Sequence, residues 1–140
     1  MKKSLFAILF LVSCASEDTQ SILPCEKNPD TITGQYEIIT TESDDGTCGS
    51  MGEMEITINS GVPQVDDGLG CSLVENEWVD TTCANRSVYE CDDGEWVMRL
   101  EWFVSVTQEG LITGELWADM DRWNGIYTCS SVYSFVSEGF

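Results

Sequence analysis

The sequence contains no histidine, only six lysines and arginines, and only three prolines among its 140 residues. Without histidine, the Ser-His-Asp and Cys-His arrangements of hydrolases and most metal-hydrolase sites are excluded. A zinc site is not predicted, because the sequence has no histidine ligand and no Cys-x-x-C pair. No glycine-rich phosphate loop is present either. These absences predict a protein that is not an enzyme.

The first fourteen residues resemble the lipobox signal of bacterial lipoproteins. Lys2 and Lys3 form a positive amino-terminal region, and residues 4–12 form an apolar run. This run is too short to span a bilayer, which needs about 20 residues. Residues 11–14 read Leu-Val-Ser-Cys, with the small serine directly before the cysteine. The alternative interpretation is an ordinary signal peptide followed by a chance cysteine.

The resemblance implies that residues 1–13 are removed as a signal peptide and that Cys14 is lipidated on its sulfur and its amino group. In Gram-negative lipoproteins the next residue guides sorting, and Ala15 favours the outer membrane. Two or three acyl chains anchor a protein stably, whereas one binds only marginally. We expect residues 14–32 to form a lipidated acidic tether to a single domain at 33–140, facing the periplasm or the cell exterior.

The mature chain is predicted to be strongly acidic. It would have 127 residues, with four basic side chains against 25 carboxylates, a formal charge of −21. Such a charge keeps a protein soluble and monomeric, so we expect a monomer. Nucleic acid and anionic lipid head groups are excluded as partners because they require patches of lysine and arginine. Cations or a basic protein fit this charge better.

The cysteine count agrees with export from the cytoplasm. Seven cysteines less Cys14 leave six, and an even number in an exported chain indicates disulfides. Three bridges are expected, and the sequence leaves all fifteen pairings open. The cysteines concerned are Cys25, Cys48, Cys71, Cys83, Cys91 and Cys129. Each bridge typically contributes about 2–4 kcal/mol, which offsets part of the charge repulsion.

Alternation of apolar and polar residues predicts an all-β domain. The longest alternating stretch is 95–107, where every second residue from Trp96 to Val106 is apolar. Other strands are predicted at 34–41, 52–59, 71–74, 78–83, 87–91, 111–118 and 126–136. Gly114 falls on an apolar face, where it would let an aromatic side chain approach closely or mark a bend in the strand. We predict an antiparallel meander of about seven or eight strands in a small barrel or sandwich, stabilised by disulfides.

Two aromatic residues are candidates for ligand contact. Phe103 and Trp117 lie on the face opposite the apolar set of their strands, whereas Trp96 and Trp102 belong to the apolar face and are expected in the core. An aromatic on the opposite face is either exposed or lines a cavity. Phe103 and Trp117 therefore suggest contact with a small apolar ligand.

Clustered acids leave calcium as a second possibility. Asp-Asp-Gly occurs three times, and Asp-Gly is chiefly a turn signal. Residues 119–125 are predicted as a turn whose Asp119, Asp121 and Asn124 could bind calcium. The segment lacks the remaining ligands of an EF-hand loop.

The sequence therefore predicts a membrane-anchored, exported lipoprotein whose β domain binds a ligand or associates with the envelope without catalysis. One alternative is an acidic surface module that binds calcium or a basic protein partner. Another is a small hydrolase that uses paired carboxylates. No cofactor is expected beyond the possible calcium.

Overall fold

The computed structural model describes residues 32–65, 67–122, 125 and 128–138, apart from the side chain of residue 67. The strands are β1 (Gly34–Glu42), β2 (Glu53–Asn59), β3 (Val62–Gln64), β4 (Cys71–Val79), β5 (Ala84–Asp92), β6 (Trp96–Val106), β7 (Ile112–Arg122) and β8 (Thr128–Ser137). A short 3₁₀ turn at Asp67–Leu69 precedes β4. Among these described residues, no helix has the length and apolar character needed to cross a membrane.

The eight strands form one antiparallel sheet in the spatial order β3-β2-β1-β8-β7-β6-β5-β4. Strands that are consecutive in the chain are neighbours in the sheet, except that β3 does not pair with β4. Pairing of β1 with β8 joins the first and last strands in the middle of the sheet, so that β3 and β4 are its two edge strands. The sheet forms a nearly closed barrel, with a seam between β3 and β4. The predicted all-β meander is confirmed, with eight strands and the barrel as its form.

The interior is filled by the alternating apolar residues of the strands. On β6, Met98, Leu100, Trp102 and Val104 are all buried, as the sequence pattern predicts. The ring of Trp102 meets Phe135 of β8 edge-on, with their centroids 5.7 Å apart. Most of the buried apolar residues of β1, β2, β5, β6, β7 and β8 belong to a single core cluster. Hydrophobic burial inside the barrel thus supplies the main stabilisation of the fold.

Gly114 is required where β7 crosses the core. It pairs with Val104 of β6 and with Phe135 of β8. A Cβ atom at Gly114 would lie 1.8 Å from the carbonyl oxygen of Phe103 and 2.8 Å from the ring of Phe135. The expected close approach of an aromatic side chain is therefore confirmed.

Two disulfides connect parts of the barrel. Cys48, in the loop after β1, is bonded to Cys129 of β8. Cys71 of β4 is bonded to Cys91 of β5, and the two are direct cross-strand partners. Cys83, in the turn between β4 and β5, is also disulfide-bonded. The predicted lipidation site at Cys14, the cysteine at position 25 and the signal segment lie outside the described residues.

The strands on either side of the seam are not those that the sequence predicts. Residues 71–83 were expected to form two short strands, but β4 is one continuous strand with a register shift between Leu73 and Glu75. The prediction was wrong because residues 72–77 are exposed on both faces and carry no alternation. The three-residue strand β3 is absent from the prediction, since it is too short to carry a period.

Candidate functional site

The two candidate aromatic residues lie side by side on the outer surface of the barrel. Phe103 of β6 and Trp117 of β7 contact each other with ring centroids 6.1 Å apart. Trp117 is 47% exposed, and its indole N–H donates to the carboxylate of Glu115 at 2.9 Å. The structure brings the pair together, but on the face opposite the core. A ligand inside the barrel would not touch either ring.

The candidate calcium residues lie on a strand rather than in a turn. Asp119 and Asp121 point outward from β7, which continues to Arg122. The predicted turn was wrong because Ala118 and Met120 extend the inward alternation. The carboxylate of Asp119 accepts a hydrogen bond from the hydroxyl of Ser130 at 2.5 Å.

Asn124, the third candidate ligand, lies outside the described residues. Within the described part of the chain, no group of three or more acidic, cysteine or histidine side chains is arranged to hold a metal ion.

Arg86 on the outer face of β5 lies at the centre of an ion-pair network. Its guanidinium donates to Glu75 at 2.6 Å, to Glu77 at 3.0 Å and also to Glu101. The hydrogen bond from Arg86 lowers the pKa of Glu75, and the same bond raises the pKa of Arg86. The arginine side chain is only 18% exposed, and charge-assisted hydrogen bonds to three carboxylates hold it in place.

The other described arginines are also paired within the chain. Arg99 contacts Glu90 at 3.2 Å and Glu75 at 3.8 Å. Arg122 pairs with Glu95. The network around Arg86 and Arg99 sets these two arginines against four glutamates, a net charge of −2. No arginine that the structure describes is therefore available to balance the remaining carboxylates.

The described strands on the opposite side of the barrel are acidic and carry no basic residue. Strands β1, β2 and β8 contain neither lysine nor arginine. Glu37 of β1 and Glu55 of β2 are direct cross-strand partners, and like charges in that position repel. Beside them, Ile39 and Val136 pair across β1 and β8 and are 40% and 41% exposed. This side therefore combines exposed apolar surface with uncompensated negative charge.

At the seam, β3 is held by hydrogen bonds from buried side chains of β5 and not by a ladder with β4. The side-chain amide of Asn85 donates to the carbonyl oxygen of Gly61 at 3.2 Å and to the side-chain oxygen of Asn76 at 2.8 Å. The hydroxyl of Tyr89 donates to the carbonyl oxygen of Pro63 at 2.6 Å. Burial raises the pKa of this hydroxyl. These bonds satisfy the carbonyl groups of Gly61, in the turn before β3, and of Pro63 in β3.

As a result β4 lies outside the closed part of the barrel, with one edge open. It pairs along its length with β5 alone among the strands that the structure describes. Leu73 and Val74 are 45% and 46% exposed. This surface was not predicted from the sequence. The absence of apolar–polar alternation over residues 72–77 is the pattern that indicates it. The candidate site is the exposed strand β4 with the arginine–glutamate network beside it.

Comparison of the chain with models of protein families, with curated proteins and with solved structures gives no match. Its function is therefore inferred from its own charges, exposed surfaces and seam.

Proposed function

We propose that this chain is an exported, lipid-anchored β-barrel domain that binds a basic protein at the bacterial envelope without catalysis. The observation that carries the proposal is the distribution of charge. The described arginines are all ion-paired inside the chain, strands β1 and β2 present carboxylates, and neither these strands nor the adjacent β8 contain a lysine or arginine. A partner with lysine and arginine on its surface would relieve this repulsion and associate rapidly.

The filled interior favours binding on the outside of the barrel. The inward residues of the strands form one buried cluster, which includes large side chains such as Trp102, Tyr133 and Phe135. The candidate aromatic residues Phe103 and Trp117 face outward, away from this cluster. An interaction on the outer surface is therefore a better fit to these positions than a small ligand in the interior.

The disulfides support an exported location, because such bonds persist in oxidising compartments. Of the five described cysteines, four are bonded to each other, so the partner of Cys83 is one of the two remaining cysteines. Lipidation of Cys14 would leave only Cys25 for this bond. We predict that peptide mapping of the non-reduced protein recovers Cys25 linked to Cys83.

Growth with a tagged fatty acid tests the anchor. The native chain is expected to incorporate the label and to sediment with membranes, whereas Cys14→Ser is expected to do neither. A Cys14–Cys83 linkage, or equal labelling of both chains, would overturn the lipoprotein assignment.

Chemical crosslinking in intact cells tests the proposed partner. The anchored chain is expected to form an adduct with a second protein whose crosslinked surface is rich in lysine and arginine. The adduct should weaken when the ionic strength outside the cells is raised before crosslinking, because salt screens exposed charges. If the chain is recovered only as an uncrosslinked species over a range of crosslinker lengths, it is not a protein-binding module.

A further inference from the structure

We propose that the open edge of β4 is the docking site, and that its occupant is an extended segment of the partner in which basic and apolar residues alternate. The inference rests on the proposed function, since it names where and how the basic protein is bound. In this mode the partner segment adds a strand to the sheet next to β4, at the seam. Main-chain hydrogen bonds give affinity, and side chains on the two faces give specificity.

The first argument is the hydrogen-bonding capacity of the edge. β4 runs over nine residues, Cys71–Val79, and its described ladder lies on the β5 side alone. In an antiparallel strand, roughly half of the peptide N–H and C=O groups point to each side. β3 would complete the barrel here, but it has only three residues and is held instead by Asn85 and Tyr89. Among the residues that the structure describes, the seam thus leaves a strand-length row of peptide groups without a partner strand.

The second argument is exposure on both faces of the strand. Residues 72–77 are exposed without interruption, and Leu73 and Val74 are each almost half exposed. Natural proteins usually protect edge strands with lysine, proline, a bulge or a covering segment. β4 has a bulge between Leu73 and Glu75 but no lysine or proline. The edge is therefore accessible to an incoming strand.

The third argument is charge, which identifies the chemistry of the occupant. Cross-strand pairing with β5 places Glu75 and Glu77 on the outer face of β4, beside Arg86. The surrounding network keeps a net charge of −2 even after its two arginines are counted. On the other face, Leu73 and Trp78 offer apolar surface. A segment with lysine or arginine on one face and apolar residues on the other matches both.

A second copy of this chain is a poorer occupant. Antiparallel pairing of β4 with itself would bring the glutamates of both copies to the same outer face. Each copy has already used its nearby arginines, Arg86 and Arg99, on its own carboxylates. Like charges placed opposite each other on neighbouring strands are destabilising.

The test measures binding of a synthetic peptide to the full mature domain by fluorescence anisotropy. The probe is a labelled nine-residue peptide in which lysine and valine alternate. One control peptide has the same composition with its lysines and valines in separate blocks. Another has N-methyl groups on alternate residues, which remove the main-chain donors along one edge. Each control is expected to bind at least about tenfold more weakly, because strand addition needs both the alternation and those donors.

Two protein variants with the same change in charge locate the site. Glu77→Lys reverses a charge on β4, where Glu77 is exposed and is one of three carboxylates on Arg86. Glu109→Lys makes the same change in the turn between β6 and β7, where the residue is also exposed. We expect the first to weaken peptide binding about tenfold and the second by about twofold, since distant surface charges are screened. Hydrogen exchange should slow within residues 71–79 when the peptide is bound.

The outcomes separate the inference from the proposed function. Equal binding of the N-methylated or block peptide would overturn strand addition, and equal losses in the two variants would overturn the β4 location. A salt-dependent dimer of the free domain that protects β4 would make a second copy the occupant. If crosslinking gives a basic partner but no peptide binds β4, only this inference fails. If no crosslinked partner exists, the proposed function fails.

Discussion

Closure of the barrel at the seam depends on one buried amide whose orientation is fixed by its surroundings. The carbonyl oxygen of Gly61 can only accept, so the Asn85 side chain must present its nitrogen to it, at 3.2 Å. Asn85 is 1% exposed. Asn85→Asp preserves the shape of the side chain but replaces this donor with a carboxylate oxygen. The substitution therefore sets a buried negative charge against a carbonyl oxygen.

The cost follows because the carboxylate would face the carbonyl oxygen of Gly61, and the hydroxyl of Ser87 supplies too little compensation for the charge. Ser87 can turn its hydroxyl toward the introduced carboxylate, but the carbonyl oxygen of Gly61 cannot become a donor. A buried charge without a partner costs about 3–5 kcal/mol. With a urea dependence of about 2 kcal/mol per molar for a domain of this size, the unfolding midpoint should fall by about 2 M. Asn85→Ala, which leaves an unsatisfied acceptor but no charge, should cost about 1–3 kcal/mol.

The dependence on pH has a definite sign. Burial raises the pKa of the introduced carboxyl in the folded state above its value of about 3.9 in the unfolded chain. The penalty relative to the native protein is therefore absent well below the unfolded pKa, where both states are protonated. It grows as the pH rises toward the folded pKa. The difference in urea midpoint between variant and native protein should shrink on acidification.

Asn76→Asp is the matched control. It makes the same chemical change at a side chain that accepts hydrogen bonds, whereas the side chain of Asn85 donates them. The side-chain oxygen of Asn76 accepts from the amide of Asn85 at 2.8 Å and from the hydroxyl of Ser87 at 3.2 Å. A carboxylate there keeps both donors, so stability should change by no more than about 0.5 kcal/mol. If Asn85→Asp is as stable as Asn76→Asp at pH 7, the amide does not close the seam.

Two further predictions concern single positions. Gly114→Ala should lose more than about 3 kcal/mol of stability or fail to fold, because its Cβ would lie 1.8 Å from the backbone oxygen of Phe103. Urea unfolding measures this loss, and the same substitution at the exposed neighbour, Glu115→Ala, is the control. Hydrogen bonds from the backbone N–H groups of Trp96 and its preceding residue lower the pKa of Asp93. The stabilisation that ionised Asp93 gives the folded state is present above the ordinary aspartate pKa and is lost as the pH falls through the lowered pKa. Asp93→Asn should therefore make the urea midpoint depend less on pH in the acid range. A plot of midpoint against pH with the same slope as that of the native protein would contradict this.

The sequence predicts those strands that have one buried and one exposed face. β6 is the best example, since its inward residues from Met98 to Val104 alternate without a break. β7 was predicted to end too early because Asp119 and Asp121 resemble turn residues. The inward alternation nevertheless continues through Ala118 and Met120, and pairing with β6 extends the strand past both aspartates. Disulfide pairing was not predictable, since Cys71 and Cys91 meet through the register of two strands.

The candidate site was harder to predict than the fold. Phe103 and Trp117 were expected to face away from the core, and they do, because alternation assigns a face. The open edge of β4 depends on the spatial order of all eight strands. It also depends on the use of Asn85 and Tyr89 to secure β3. Neither fact is expressed in the residues of β4 themselves.

Pairing of β1 with β8 has a consequence for the speed of folding. All other ladders join strands that follow one another in the chain, whereas the paired residues Glu42 and Tyr133 are 91 positions apart in the sequence. This one ladder therefore raises the contact order and closes the longest loop of the fold. The Cys48–Cys129 bridge, with a sequence separation of 81, confines the same closure even in the unfolded chain, worth about 4.5 kcal/mol. In a circular permutant that begins at β4 and ends at β3, every ladder would join strands that are consecutive in the chain. New termini between β3 and β4 would interrupt no ladder, because these two strands do not pair.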